Sequence, residues 1–126
     1  MKSDIITKED IQFLVNQFYA KAKTDQLIGK FFTIVAEVDW ESHLPKMYNF
    51  WESVILGKRT YSGNPMKIHF ALNQKETLLE EHFARWVNLF HATIDENFKG
   101  RNSQQAKTSA STIALALKTR ITNTKE

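Results

Sequence analysis

Residues 64–73 read NPMKIHFALN, a turn signal followed by a short apolar run with His69 near its centre. The run is too short for an ordinary helix, and long helical patterns lie on both sides of it. An imidazole inside an apolar run points toward the protein core. There it needs either a hydrogen-bond partner or a metal ion. The choice between these two roles depends on the rest of the chain.

A helical pattern opens the chain. Thr7 and Asp10 have the spacing of a capping box, in which each side chain accepts a hydrogen bond from the other's backbone N–H group. Six apolar residues then recur at helical spacing: Ile11, Leu14, Val15, Phe18, Tyr19 and Ala22. We therefore predict an amphipathic helix over residues 8–23 that buries this face.

A second helix is predicted from its N-cap Asp39 to the residue before Gly57. Pro45 lies inside the pattern and removes one backbone donor from the first turns. The inner face consists of His43, Met47, Phe50, Trp51, Val54 and Ile55. A turn-rich loop, KRTYSGNP at residues 58–65, separates this helix from the His69 run.

Two more helices are predicted after the His69 run. Asn73 and Glu76 mark the start of the third helix, which Gly100 ends. Its inner face consists of Leu79, Phe83, Trp86, Val87, Phe90 and Ile94. Ser103 opens the fourth helix. The inner face of that helix consists of Ala106, Ala110, Ile113, Ala114, Leu117 and Ile121.

Length and pattern fit a single all-α domain. A chain of 126 residues can form one hydrophobic core, and no strand-like alternation of period two occurs. We expect one domain over residues 1–126, with frayed ends at 1–7 and 122–126. The aromatic share of 12% is high for so small a core, which indicates either dense filling or a pocket for a flat ligand.

Charge and cysteine content argue against several classes of protein. The net charge of +3 comes from scattered Lys and Arg residues, so no basic stripe for nucleic acid is formed. The absence of cysteine excludes disulfides and thiolate chemistry. The first residues, MKSDIITKED, lack the apolar stretch of a signal peptide, and no run approaches the roughly 18 residues of a membrane span. A cytoplasmic location without a membrane partner is expected.

The four histidines are the main candidates for chemistry, because no P-loop, GxGxxG, HExxH or GxSxG motif occurs. His82 and His91 lie off the apolar face of the third predicted helix, and we expect both at or near the surface. His91 and Asp95 are spaced i, i+4, which is weak evidence for a shared metal ion.

His43 and His69 differ, because each lies on an apolar face at one edge of the loop at residues 58–65. Taken singly, each is explained by a core histidine bonded to a backbone carbonyl. Taken together, they allow a helix hairpin with the two imidazoles on opposite sides of a slot. A slot lined by Phe, Trp and Met suits a haem, since neutral imidazole is a good axial ligand for iron. Spacing alone leaves both interpretations open.

Four stretches resemble group III truncated haemoglobins. They are FYAKAKTDQLIGKFF (18–32), HLPKMYNFWESVILG (43–57), YSGNPMKIHFAL (61–72) and HFARWVNLFHATIDENFKG (82–100). Their order and spacing match that family over nearly the whole chain. The resemblance implies a shortened globin, with four main helices packed two over two around a haem b. The lack of a Gly-Gly pair and the presence of Pro45 also fit that family.

The resemblance implies a role for each residue around the haem. His69 matches the proximal ligand, whose Nε2 binds the iron. Tyr19, His43 and Trp86 match the distal polar positions. Seven further residues would line the haem: Phe32, Met47, Phe50, Trp51, Met66, Leu72 and Phe90. Three basic residues are loose candidates for the haem propionates, with a solvated surface as the alternative: Lys46, Arg59 and Lys67.

The same resemblance implies binding of O2, NO and CO. Tyr19 and Trp86 would donate to the ligand, and His43 would gate the pocket. Each charge-assisted hydrogen bond, worth about 1.5–3 kcal/mol, would slow release by roughly ten- to a hundredfold. Slow release is poor for transport and suits oxygen or NO redox chemistry, such as oxidation of nitric oxide to nitrate or peroxidase-like turnover, with a partner reductase. The alternative is a haem-free small helical module that binds a protein.

Overall fold

The computed structural model describes residues 2–30, 40–58 and 80–124. Within these ranges the chain forms α-helices and no strand. The helices are α1 (Lys8–Thr24), α2 (Trp40–Leu56), α3 (Glu80–Asn97) and α4 (Arg101–Thr124). The all-α prediction is confirmed, and the predicted bounds of the first helix are met within a residue.

Several predicted features lie outside the described residues. They are Phe32, the N-cap Asp39, the loop and the apolar run around His69, and the helix start at Asn73 and Glu76. What the sequence predicts for them remains a prediction. The described part of α2 ends before Gly57 and continues through Pro45, as predicted.

The helices form two pairs that pack on each other. α1 lies against α2, and α3 lies against α4. α1 also contacts α3, and α2 contacts α4, which joins the pairs. Among the described helices, each therefore has two neighbours and buries a broad apolar face, the two-over-two arrangement that the family resemblance implied.

The start of α1 is fixed by the predicted capping box. Thr7 Oγ1 accepts a hydrogen bond from the Asp10 backbone N–H at 3.1 Å. Asp10 Oδ2 accepts in return from the backbone N–H groups of Thr7 at 3.0 Å and Ile6 at 2.9 Å. All six residues of the predicted inner face of α1 are buried. The capping box and the spacing of apolar residues therefore predicted this helix correctly.

The core lies between α1, α3 and α4. Phe18 of α1 and Phe90 and Ile94 of α3 are almost completely buried. α4 contributes Ala106 and Ala110, both fully buried. Their small side chains allow α4 to lie close to the large rings of the other helices and to close that side of the core.

The start of α4 differs from the prediction. The helix begins at Arg101 rather than at Ser103, because its cap comes from the N-terminal segment. Asp4 Oδ2 accepts from the Asn102 N–H at 2.9 Å, and Asp4 Oδ1 accepts from the Ser103 N–H at 2.8 Å and its hydroxyl at 2.7 Å. A carboxylate at a helix N-terminus satisfies free N–H groups and opposes the helix dipole.

The N-terminal segment is therefore part of the packed structure. Ile5 is fully buried, and its carbonyl accepts from Asn102 Nδ2 at 2.7 Å. The Lys99 N–H donates to the Ser3 carbonyl at 3.0 Å. Three of the residues expected to fray, Ser3, Asp4 and Ile5, thus make long-range contacts with the end of α3 and the start of α4.

Candidate functional site

Four large rings form a continuous surface on the inner side of α1, α2 and α3. We call Phe18, Trp51, Trp86 and Phe90 the aromatic wall. Trp86 and Phe90 are one turn apart on α3 and stack with an angle of 5° and a centroid distance of 5.5 Å. Trp51 of α2 stacks on Phe90 at 4.5 Å. Phe18 of α1 meets Trp86 edge to face at 5.7 Å. Three helices therefore share one apolar surface.

Tyr19 lies next to this wall. It is buried, and its ring meets Phe18 edge to face at 5.1 Å. Burial raises the pKa of the Tyr19 hydroxyl, because the phenolate would lose its hydration. The hydroxyl therefore keeps its proton even well above neutral pH and remains a hydrogen-bond donor.

His43 completes the group from the first turns of α2. Its imidazole meets the Tyr19 ring edge to face, with centroids 5.5 Å apart, and it is half-buried. Met47 and Phe50 follow on the same helix, half-buried and packed on the core. The helical spacing of these residues places an imidazole, a thioether and a ring along one side of α2.

The structure thus brings together most of the described residues that the sequence singled out. Tyr19 touches His43 directly, and Phe18 touches both Tyr19 and Trp86. Four predicted site residues, His69, Phe32, Met66 and Leu72, lie outside the described residues. Among the three propionate candidates, Lys46 is exposed on α2, whereas Arg59 and Lys67 lie outside the described residues.

The prediction for His82 is wrong. We expected it at or near the surface, but it is buried, with 7% of its surface exposed. It lies one turn before Trp86, which in turn lies one turn before Phe90, so all three share a helix face. The prediction counted only the apolar residues of this helix as its buried face. The buried face of α3 is wider than that and includes His82.

His91 lies at the boundary, as expected, and its imidazole contacts α4. Its Nε2 lies 2.9 Å from the Lys107 carbonyl and 3.1 Å from Ser111 Oγ. Asp95 pairs instead with the Lys107 ammonium at 2.7 Å. Across the described part of the chain, no three His or acidic side chains converge as a metal site. No described helix is long and apolar enough to span a membrane.

Comparisons with known proteins agree with this architecture. The family model described as bacterial-like globin matches residues 4–123. The group 3 truncated hemoglobin ctb of Campylobacter jejuni subsp. jejuni is 32% identical over 98 residues, which is 75% of each chain. The crystal structure of a group III truncated hemoglobin from Campylobacter jejuni matches with a TM-score of 0.81 at 27% identity. That match covers 96% of this chain and 95% of the other.

Globins use a haem to bind small diatomic ligands such as O2, and the described side chains fit that cofactor. Trp51 and Phe90 stack on each other and give the interior between α2 and α3 a flat apolar lining, the kind of lining that suits a macrocycle. Tyr19, His43 and Trp86 add a phenol, an imidazole and an indole, which suit a small polar ligand beside it. The haem-free module gains no support from the comparisons.

Proposed function

Because the chain belongs to the bacterial-like globin family and is a group III truncated haemoglobin, we propose that it binds O2, NO and CO at a haem b and performs oxygen or NO chemistry. The observation that carries the proposal is the contact of Tyr19 with His43 beside the aromatic wall. A wall alone would be core filling. The buried Tyr19 hydroxyl supplies a hydrogen-bond donor inside the proposed pocket. The half-buried His43 imidazole lies where that pocket meets solvent.

His69 is proposed as the proximal ligand, with its Nδ1–H directed to a backbone carbonyl or similar acceptor. When bound, the haem supplies an iron atom with one open coordination position for a diatomic ligand. Aromatic and aliphatic side chains hold the macrocycle and exclude water from it. Those proposed for this role are Phe32, Met47, Phe50, Trp51, Met66, Leu72 and Phe90.

Tyr19 and Trp86 are proposed to hold the ligand. The indole Nε1–H of Trp86 can only donate, and the Tyr19 hydroxyl stays protonated because burial raises its pKa. Donors that converge on a partly negative oxygen form charge-assisted hydrogen bonds of about 1.5–3 kcal/mol each. Phe18 supports this arrangement, since its ring contacts both Tyr19 and Trp86 and thereby fixes their separation.

His43 is proposed as a gate between the pocket and solvent. It is half-buried, whereas the Tyr19 ring that it contacts is buried, so it lies at the edge of the group. A rotation of its side chain would change access to Tyr19 without moving a helix. Rotamer changes of this kind need no rearrangement of the core.

The proposed reaction is oxidation of nitric oxide to nitrate by O2, or a peroxidase-like reaction, rather than O2 transport. Two donors on one ligand slow its release, which is unfavourable for delivery and favourable for chemistry on the ligand. Oxidation of NO to nitrate by O2 consumes one electron in each turnover. A partner reductase would supply that electron, since no flavin- or nicotinamide-binding motif occurs in the sequence.

Haem binding is tested first, by titrating the purified protein with haemin and recording the Soret band and the quenching of tryptophan fluorescence. We expect one haem per chain and a five-coordinate ferrous spectrum. His69→Ala should lose the proximal bond, and His91→Ala is its matched control on a boundary histidine. A wild-type protein that binds no haem would overturn the proposal.

Ligand stabilisation is tested by O2 release after rapid mixing with CO. Tyr19→Phe and Trp86→Phe should each speed release by roughly ten- to a hundredfold, at about 1.4 kcal/mol per decade. Tyr48→Phe is the control for the phenol, because the Tyr48 hydroxyl bonds to Asn16 on the surface. Unchanged release in Tyr19→Phe and Trp86→Phe would exclude the proposed donors.

A further inference from the structure

Asp25 forms a fully satisfied carboxylate directly after α1. Its side chain is 4% exposed. Oδ1 accepts a hydrogen bond from Arg85 Nε at 2.8 Å and lies 2.7 Å from Arg85 Nη2 in the same ion pair. Oδ2 accepts from the backbone N–H groups of Leu27 and Ile28, both at 3.0 Å. Both carboxylate oxygens therefore accept hydrogen bonds, and two nitrogens of the Arg85 guanidinium lie against Oδ1, which restricts the orientation of that side chain.

This pair is charged at neutral pH. Burial acts to raise the pKa of the Asp25 carboxyl, but the hydrogen bond from Arg85, the two backbone donors and the Arg85 charge outweigh it, so that pKa is lowered. The same hydrogen bond and the negative charge of Asp25 raise the pKa of Arg85. A buried carboxylate with these partners keeps its geometry, because loss of any donor would leave an unsatisfied charge.

The position of the pair in the fold is informative. Asp25 caps the C-terminus of α1, the helix that carries Tyr19. Arg85 lies on α3 and directly precedes Trp86. α1 and α3 pack on each other. The ion pair therefore connects the C-terminus of α1, which carries Tyr19, with the residue next to Trp86 on α3.

An anchor at Arg85 limits rotation of α3 about its own axis. Side chains end about 5–6 Å from the axis of a helix, so a rotation of about 10° moves such a group by about 1 Å. Phe18 and Phe90 contact the Trp86 ring within the core. Arg85 is half exposed, so its contact with Asp25 lies outside that core and adds to the contacts of Trp86 with Phe18 and Phe90.

We propose that Arg85 and Asp25 are positioning residues that set the orientation of the Trp86 indole toward the ligand. The inference rests on the proposed function, because it assigns a purpose to the orientation of Trp86. Arg85 itself does not touch the ligand. Its effect passes through the backbone of α3 to the next residue.

The experiment uses the full-length haem-loaded protein and the variants Arg85→Met and Arg85→Lys. Met keeps the apolar stem without the fork, and Lys keeps the charge without the fork. Arg85→Met should speed O2 release by about three- to tenfold, a part of the loss in Trp86→Phe. The C–O stretching frequency of the CO complex should shift in the direction seen in Trp86→Phe. Arg85→Lys should restore part of both effects.

Lys21→Met is the matched control. Lys21 and Glu96 also form an ion pair between α1 and α3, but far from Trp86 along the helix. This variant should leave O2 release and the C–O frequency unchanged, whatever it does to thermal stability. In a Trp86→Phe background, Arg85→Met should add little to the release rate, because both changes act on one donor.

The outcomes separate this inference from the proposed function. If Trp86→Phe speeds release while Arg85→Met lowers only the melting temperature, Arg85 is merely structural and the inference is wrong. If Trp86→Phe itself leaves release unchanged, the donor role in the proposed function is wrong. If Arg85→Met does not fold, Arg85→Lys provides the same two measurements, and unchanged values there would overturn the inference.

Discussion

Tyr19 and His43 meet edge to face with ring centroids 5.5 Å apart, although one lies on α1 and the other near the start of α2. Tyr19 is buried, and His43 is half-buried. The pair therefore extends from the interior of the proposed pocket to its edge. A buried phenol and a half-buried imidazole respond differently to solvent, so their roles can be tested separately.

The buried Tyr19 hydroxyl should make the stability of the protein sensitive to high pH. Burial raises its pKa in the folded state, whereas an unfolded chain ionises it near the ordinary value of about 10. Its contribution to stability is therefore complete below about pH 10 and falls as the pH rises above it. Between about pH 10 and 11, wild type should lose up to about 1.4 kcal/mol relative to Tyr19→Phe. Urea unfolding at each pH measures this difference.

A spectroscopic titration is the control for that prediction. The phenolate absorbs more strongly than the phenol at the red edge of the tyrosine band. Folded wild type and folded Tyr19→Phe should show the same absorbance change up to about pH 11, because Tyr19 does not ionise in the folded state in this range. A larger change in wild type would mean that Tyr19 is accessible, contrary to its burial.

The proposed gate predicts a kinetic effect of His43. Removing the ring in His43→Ala should raise the association rate of CO with the ferrous haem protein by about tenfold, as expected when a gating side chain is lost. Release of O2 should change less, since Tyr19 and Trp86 remain. Lys46→Ala is the matched control, because Lys46 is exposed on the same helix. Equal association rates in His43→Ala and wild type would exclude a gate.

Local patterns predicted the helices and much of the wall. The face of α1 with Phe18 and Tyr19, and the inner face of α2 with Trp51, follow from the spacing of apolar residues, which depends only on neighbours in the sequence. The haem-related roles came from a family resemblance rather than from spacing. His43 and Tyr19 were expected on one side of a haem, and the structure brings their rings into contact.

Long-range polar contacts were not predictable in the same way. Asp25 meets Arg85 across 60 residues, and Asp4 meets Asn102 across 98. Neither spacing nor residue type marks such partners in a single sequence. His82 was predicted at the surface because the prediction of burial relied on apolar residues, and a polar side chain inside a wide buried face does not contribute to that pattern. Contacts that depend on the packing of helices need the structure.

The cap that Asp4 places on α4 predicts acid sensitivity. Burial acts to raise the pKa of the Asp4 carboxyl, but hydrogen bonds from Asn102, Ser103 and Ile5 outweigh it, so the pKa is lowered. This stabilisation is complete above the unfolded value of 3.8 and is lost as the pH falls through the lower, folded pKa. Asp4→Ala should cost about 1–2 kcal/mol at neutral pH, as removal of a helix cap does.

Asp4→Ala should also lose less stability than wild type when the pH falls below 3.8, because the titrating carboxyl is gone. Urea unfolding at neutral and acid pH measures both effects. Ser3→Ala is the control, since Ser3 contributes its backbone carbonyl to Lys99 and keeps it in the variant. A neutral-pH midpoint in Asp4→Ala equal to that of Ser3→Ala would mean that the cap contributes nothing.

Gly100 should be far less tolerant of a side chain than Gly57, although both have positive φ angles of 151° and 73°. A Cβ at Gly57 meets no atom within 4 Å, so Gly57→Ala should cost only the left-handed strain of about 1–2 kcal/mol. A Cβ at Gly100 would lie 2.4 Å from Asp4 Cγ. Gly100→Ala must therefore displace Asp4 from α4, and we expect a loss of about 2–4 kcal/mol.

The clash component of that loss can be isolated. In an Asp4→Gly background the side chain that meets the new Cβ is absent and the cap is already lost. Gly100→Ala should then cost only the strain of its own backbone conformation, about 1–3 kcal/mol. The free energy of unfolding from urea titrations of the two single variants and the double variant gives the coupling directly. If Gly100→Ala costs the same in both backgrounds, Asp4 does not press against Gly100, and the N-terminal segment packs on α4 less closely than the structure shows.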